Sequence, residues 1–469
     1  MRPLGILRHG SALHFWRYSV AFQRKLHAET TGKVSFYDII IAGGGMVGTT
    51  LACKLAHNSK LANKKILLLE GAPEREWSLQ LQYSNRVSAL NKKTKDLLVS
   101  IGAWKHIVEA RYKPVKKMQV WEALSDSMIT FYHDNMIQDV AFIVENDVLL
   151  AAVNTVLESA KNVTVLHKAR VKNYQLPGKN STSVENDELV YLELENGSKF
   201  ACSLVIGADG ANSQVRKAMG VQYLSWNYNQ MGIVATVRLF EPTENVVAWQ
   251  RFLPTGPVAL LPLTDELSSL VWSIPNEQAQ NLLKLSEECF VDALNEALWK
   301  QYPRIKAVDA STRFLDSILG SILLVSNAVR QLPPSVTGVI EGSRAAFPLG
   351  FGHSTCYVAK GVALVGDAAH RIHPLAGQGV NLGFGDICCL SEMLSEAVGE
   401  GKALGSLSHL HQYETLRQRH NVPIMLAVDG LQKLYSSEVT PVVMLRSLGL
   451  QFTHALNPVK NFFMNYAAV

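Results

Sequence analysis

The residues best suited to chemistry in this chain are glycines and carboxylates that follow apolar runs, and the chemistry they suit is the holding of phosphate and ribose. Gly43-Gly44-Gly45-Met46-Val47-Gly48 has the G-x-G-x-x-G spacing. Gly43 permits a tight turn, Gly45 lets backbone approach a pyrophosphate, and Gly48 lets a helix pack closely on its strand. The helix start behind them offers unpaired amides and a positive dipole end. Glu70, closing the next apolar run, is placed to accept from a ribose hydroxyl. Two more carboxylates share this setting: Asp209 in LVIGADG (204–210), with Ser213 and Arg216 just beyond, and Asp367 in GDAAH (366–370). Either could instead cap a helix, which stabilises by about 1 kcal/mol without any ligand. The amides after Pro374, through Gly377, Gln378, Gly379 and Asn381, can donate to an anionic ring or phosphate.

Elements must hold these groups in place. FYDIIIA (36–42) reads as a buried strand, TTLACKLA as the helix after the glycines, and 65–69 as the next strand. Strand, glycine turn, helix, strand and acid together call for an ADP-containing dinucleotide, with FAD and NAD undecided by this unit alone. VALV (362–365) is a further strand. Between 223 and 340, runs such as MGIVATVRLF and SSLVWSI, bounded by turns including PTGP (254–257), suggest antiparallel sheet. Residues 172–188 read as a polar loop, and 421–469 as an apolar segment that Pro441 and Pro458 break into short helices.

Taken as an ordered set, GGGMVG (43–48), GADGANSQVR (207–216) and GDAAHRIHPLAGQGVNLGFGD (366–386) resemble the single-Rossmann, FAD-dependent aromatic hydroxylases of the para-hydroxybenzoate hydroxylase superfamily. SNRVSAL (84–90), MQVW (118–121), ENDVLL (145–150) and WQRFLPTGPVALLPL (249–263) are most similar to the branch that serves mitochondrial ubiquinone (coenzyme Q) biosynthesis. The resemblance implies an α/β fold: a Rossmann-like FAD-binding domain (34–118, 142–222 and 341–420), an interleaved substrate domain on a mostly antiparallel sheet (119–141 and 223–340), and a C-terminal helical segment (421–469). It implies that Gly43, Gly45 and Gly48 hold the FAD pyrophosphate, Glu70 the adenosine ribose, and Asp367 the ribityl chain. Arg86 would lie near the pyrophosphate, Asp209 would serve FAD and reduced pyridine nucleotide, and the Pro374–Asn381 turn would face the flavin ring. Trp249, Arg251, Phe252 and Pro257 become candidates for lining the substrate cavity, with core packing an equal reading for the aromatic pair and a surface salt bridge for Arg251.

The implied reaction is hydroxylation, at ring carbon 5, of a polyprenylated hydroxybenzoate by oxygen carried as a flavin C4a-hydroperoxide. No protein nucleophile or metal is then needed, because the cofactor carries the chemistry. The chain accordingly contains no HExxH, GxSxG or Walker A motif. His370 and His373 read as packing or flavin-side hydrogen-bonding residues, since no carboxylate or cysteine completes a metal set. Neither GFGHST nor GQGVNL completes a second fingerprint, so the electrons must come from transiently bound NAD(P)H or, as the resemblance implies, from a ferredoxin and its reductase. Two other readings share the motifs: a flavin-dependent reductase or dehydrogenase of a prenylated substrate, and an inactive flavoprotein scaffold.

Charge points to an address rather than a polyanionic partner. The 469 residues carry 45 Lys+Arg and 40 Asp+Glu. Arg2, Arg8, Arg17, Arg24 and Lys25 precede the first acid, Glu29, so the remainder is balanced and offers no sign of a nucleic-acid face. Residues 1–28, acid-free and with Leu4, Phe15, Phe22 and Leu26 on one helical stripe, read as a mitochondrial transit peptide. The implied place is peripheral, on the matrix side of the inner membrane, among other coenzyme Q biosynthesis proteins. In that setting 421–469 either packs onto the FAD domain or meets the membrane. The six cysteines form no CxxC pair and read as reduced, mostly buried thiols.

Overall fold

The computed structural model describes residues 34–74, 76–125, 127–132, 138–178, 188–242, 244–303 and 331–455. The proposed transit peptide, part of the 172–188 loop, and Pro458 lie outside the described residues. Ile39, Ile40 and Ile41 are fully buried in the strand Ser35–Ala42, which runs parallel to Ile66–Leu69 on one side and to Lys199–Gly207 on the other. Val163–Leu166 and Val362–Leu364 extend the parallel set outward. Continuous apolar runs such as residues 39–42 and Ile66–Leu69 require both faces covered. The helices Met46–Ala56, Asn146–Leu157 and Gly379–Gly399 share that core.

The chain leaves the central strand in both directions, which creates the switch point at which α/β sheets bind ligands beyond their carboxyl ends. Register brings the motifs together there. Ala42 lies level with both Leu69 and Gly207, and Gly207 with Leu364, so Gly43, Glu70, Asp209 and Asp367 follow four strand ends along one edge.

A nine-stranded second sheet is antiparallel except where Val247–Leu253 pairs with Lys117–Glu122. Its longest strand, Tyr223–Leu239, pairs with Ala345–Ser354, a segment that the sequence division places with the FAD-binding domain. The helices Asn276–Lys284 and Glu287–Trp299, not singled out in the sequence reading of 223–340, cover one face, the first through Ala279 and the second through Phe290, Leu294 and Leu298. Residues 171–175 form a strand against Val190–Leu194, so the expected loop begins later than Lys172.

The C-terminal region also differs from expectation. Leu407–Tyr435 is one helix running through Pro423, so a boundary at 421 cuts it in two. Tyr413 donates to the Leu364 carbonyl at 2.8 Å, tying its first half to the parallel sheet. Pro441 opens the helix Thr440–Ala455 rather than breaking one, as its missing N–H allows in a first turn. That last helix docks on the edge of the second sheet, not on the FAD-binding domain. Buried Arg446 donates to Glu122 Oε1 at 2.6 Å and to the carbonyls of Leu434, Tyr435 and Ser437, while Ser447 donates to Glu122 Oε2. No helix among the described residues is long and apolar enough to cross a membrane.

Glu122→Gln leaves Arg446 buried without its counter-charge and should cost about 3 kcal/mol. Urea unfolding checks this, together with amide exchange across 440–455, which should quicken; an unchanged midpoint would remove the ion pair as the clamp.

Candidate functional site

Gly43 has φ +110°, and a Cβ there would sit 2.4 Å from the Ala208 carbonyl oxygen, so only glycine serves. A Cβ on Gly48 would lie 1.9 Å from the Gly43 oxygen, the close helix–strand approach that the motif demands. At Gly45 a Cβ would meet nothing within 4 Å, which leaves the backbone open to an incoming phosphate. Gly45 is also the N-cap of Met46–Ala56, with no side-chain cap. Glu70 accepts from the Gly44 amide at 2.8 Å and the Ala72 amide at 2.6 Å, which fixes its carboxylate against the glycine turn.

Asp209 and Asp367, alike in sequence, behave differently. Asp209 Oδ2 accepts from the amides of Gln214 and Val215, as a helix cap does, while its Oδ1 is buried without a partner among the described residues. Asp367 caps nothing: Val365 is the N-cap of its 3-10 turn, and no side-chain cap forms. Its carboxylate has no hydrogen-bond partner among the described residues and is open to solvent. Surrounding protein mass raises its pKa, opposed by His370 and Arg371; solvent access means that water screens much of that penalty. Arg216 links the two motifs, donating to Ala368 O at 2.7 Å and Ala211 O at 2.6 Å while stacking on Tyr223.

The turn Pro374–Ala376 closes on Gly377, φ +61°, and Gln378 opens the helix Gly379–Gly399 without a side-chain cap. Asn381, expected at the cofactor, is engaged by the protein. Its Oδ1 accepts from Asn91 N and Thr94 Oγ1, and its Nδ2 donates to Ala89 O, which ties this turn to Val87–Leu90. Arg86 stands just before that strand with an exposed side chain.

The substrate candidates divide by strand parity. Trp249 faces the helix-covered core, edge-on to Trp121, and buried Arg251 donates to the carbonyls of Ala297 and Lys300 at the end of Glu287–Trp299. Arg251 is therefore neither a surface salt bridge nor turned toward the motifs. Phe252 points the other way, stacked 3.8 Å from Tyr435 in an apolar seam with Phe351, Ile372, Leu375 and Leu382. Buried Pro257 lies directly opposite Phe252 and shares its face. A cavity of about 350 Å³ lies on the Trp249 side, between Leu253, Trp272, Ile274, Leu282, Ala297 and Tyr302, away from every motif residue.

Sequence reading missed a hub. Asp386, fully buried, accepts from Gly366 N, His370 Nε2 (2.6 Å), Arg417 Nε (2.7 Å) and Asn421 Nδ2. Burial alone would raise its pKa, but His370, Arg417 and these hydrogen bonds hold it well below the usual carboxylate range. His370 is thus paired within the protein. Of the cysteines, Cys53 and Cys202 are buried, Cys289 is exposed, and the others are half-buried, fewer buried than expected.

Two uncapped helix starts, the open face of Gly45, the unpartnered Asp367 carboxylate and the free Asp209 Oδ1 fit a dinucleotide laid along the carboxyl edge of the sheet. A family model described as FAD binding domain matches residues 37–313 and 350–425. PqsL of Pseudomonas aeruginosa, in complex with 2-aminobenzoylacetate, has a similar fold (TM-score 0.66, 20% identity, 89% of this chain and 99% of that one). So has p-nitrophenol 4-monooxygenase PnpA of Pseudomonas putida DLL-E4 (TM-score 0.64, 16% identity, 92% and 98%). Fold, site and family model define an FAD-binding flavoprotein. The chain is 56% identical over 433 residues (92% of it, 89% of the relative) to the mitochondrial ubiquinone biosynthesis monooxygenase COQ6 of Drosophila melanogaster, and 48% identical over 434 residues (92% of each) to that of Homo sapiens. It belongs to the COQ6 family of ubiquinone biosynthesis monooxygenases.

Gly45→Ala should leave the melting of the cofactor-free chain unchanged while weakening FAD binding about tenfold, whereas Gly48→Ala should lower the melting temperature itself. Calorimetry and FAD titration of the two variants separate these outcomes. For Asp386 the folded pKa lies below the unfolded one, so its contribution is present above about pH 4 and fades as pH falls further. Asp386→Asn, less stable at neutral pH, should lose less on acidification than the parent; parallel melting-temperature profiles would contradict this.

Proposed function

We propose that this chain hydroxylates the aromatic ring of a polyprenylated hydroxybenzoate, at ring carbon 5, within mitochondrial ubiquinone biosynthesis. The observation that carries the substrate class is the apolar seam of Phe252, Phe351, Ile372, Leu375, Leu382 and Tyr435, which adjoins the turn that begins at Pro374. Such walls suit an aromatic ring with a hydrocarbon substituent, and they exclude water from a reacting centre. The names of the relatives supply the pathway and the compartment.

In this reading Gly43, Gly45 and Gly48 hold the pyrophosphate of FAD, Glu70 the adenosine ribose, and Asp367 the ribityl hydroxyls. Asp209 offers its free oxygen to the same cofactor, and Arg86, solvent-exposed, adds positive charge beside the phosphates. Bound flavin supplies the activation of O2 and the electrons that reduce its second oxygen atom. The protein orients the ring, keeps water out, and presents amides from Gly377, Gln378 and Gly379 to the flavin. Asn381 supports that turn from behind. Of the two donors left by a single dinucleotide fingerprint, transiently bound NAD(P)H or a partner protein, this reading takes a ferredoxin with its reductase, the donor that the resemblance to the mitochondrial ubiquinone branch implies. The chain works peripherally on the matrix side of the inner membrane after removal of 1–28, beside other coenzyme Q biosynthesis proteins.

The purified full chain should be yellow and, with a ferredoxin system, should place one atom of isotopically labelled O2 into a prenylated 4-hydroxybenzoate. Ring position follows from NMR of the product. Substrate turnover without label would favour a reductase, and bound flavin without any turnover a scaffold. Rapid anaerobic bleaching by NADPH alone would overturn the ferredoxin assignment.

A further inference from the structure

His373 is fully buried immediately before the Pro374–Ala376 turn. Its Nδ1 accepts from the Leu375 amide at 3.2 Å, so in the neutral ring the proton is on Nε2. That Nε2 is buried and has no hydrogen-bond partner among the described residues. The neighbouring carboxylate does not serve it. Asp429 spends Oδ1 on Trp226 Nε1 and on the Tyr228 hydroxyl, and Oδ2 on Lys433. Burial lowers the ring's pKa to about 4, so the histidine is neutral at physiological pH.

A buried donor without an acceptor costs stability, and native proteins keep few of them. The partner of this N–H therefore lies outside the described residues, and a ligand that enters the protein is one group able to accept from it. The surroundings indicate where. Ile372 and Leu375, on either side in sequence, belong to the apolar seam, and Tyr228, also packed against it, meets the imidazole edge-on at 5.1 Å.

We propose that His373 contacts substrate: its Nε2–H donates to the phenolic oxygen of the ring held in the seam. The assignment rests on the reading under Proposed function and adds the group that orients the ring. One imidazole thereby does two jobs, Nδ1 holding the turn and Nε2 aligning the ring.

Two substitutions separate the jobs. His373→Asn keeps an oxygen near the Nδ1 position to cap Leu375 but has no donor at the distal position. His373→Gln reaches the distal position with an amide N–H and gives up the cap. Both are compared with the parent by thermal melting of the cofactor-free chain, by FAD titration, and by titrating the FAD-loaded enzyme with a short-chain prenylated 4-hydroxybenzoate while following flavin absorbance. His373→Asn should melt within about 1 °C of the parent and bind FAD equally, yet bind the phenol roughly tenfold more weakly. His373→Gln should melt about 2 °C lower and bind the phenol within roughly threefold of the parent. Phenol affinity unchanged in His373→Asn, affinity that tracks melting temperature in both variants, or a loss confined to FAD affinity would each overturn the proposal. A parent enzyme that binds no phenol would instead sink the substrate reading on which it rests.

Discussion

The site depends on the register of five parallel strands. Ala42 level with Leu69 and Gly207, and Gly207 level with Leu364, bring Gly43, Glu70, Asp209 and Asp367 to one edge although more than 300 residues separate the first from the last. In half-exposed sheets register is enforced by the alternation of apolar and polar faces. Ile39 to Ile41 are buried on both faces, so that restraint is weak here. What enforces it instead is contact at the strand ends. Gly43 lies against the Ala208 backbone, and Gly48 against the Gly43 oxygen, so a slip of one residue would drive backbone into backbone.

Register places the strand ends, and buried charge secures the segments that arrive from far along the chain. Asp386 gathers Gly366, His370, Arg417 and Asn421, joining the end of Val362–Leu364 to two helices. Glu122 and Arg446 do the same for the last helix at the second sheet. Buried ion pairs recover their desolvation cost only when their remaining hydrogen-bonding positions are also filled. Here each carboxylate has further donors, from backbone or from Ser125 and Ser447. Both clusters therefore specify position more than they add stability.

This division accounts for what was legible in the sequence. The glycine turn and the strand-end acids could be read because their chemistry requires fixed local spacing, and spacing survives in one dimension. Asp386 could not, since an acid inside an apolar helix carries no mark of partners contributed from elsewhere. Asp209 and Asp367 had the same local signature. Their fates diverge because Gly210 to Ser213 turn back so that the amides of 214 and 215 reach Asp209, whereas the chain after Asp367 proceeds into the strand His370–Arg371. Trp249 and Phe252 were read as one group. Strand parity sends them to opposite faces, and the helices that decide which face is closed, Asn276–Lys284 and Glu287–Trp299, were not singled out in a segment read from its strand-like runs.

The two faces of the second sheet then have different physical characters. One is sealed by its own helices into an ordinary core. The other is completed by borrowed parts: Leu375 from the Pro374–Ala376 turn, Ile372 just before it, and Ile424, Met425, Val428 and Tyr435 from the long C-terminal helix. The same turn thus carries the amides proposed to face the cofactor and, through Leu375, a side chain in the seam proposed for the substrate. A shift of Pro374–Ala376 on cofactor binding must also move Leu375 in the seam, because Gly377 and the Asn381 bonds hold its far end. If the proposed cofactor and substrate sites are as assigned, this single short segment couples them, with no conformational relay needed between them.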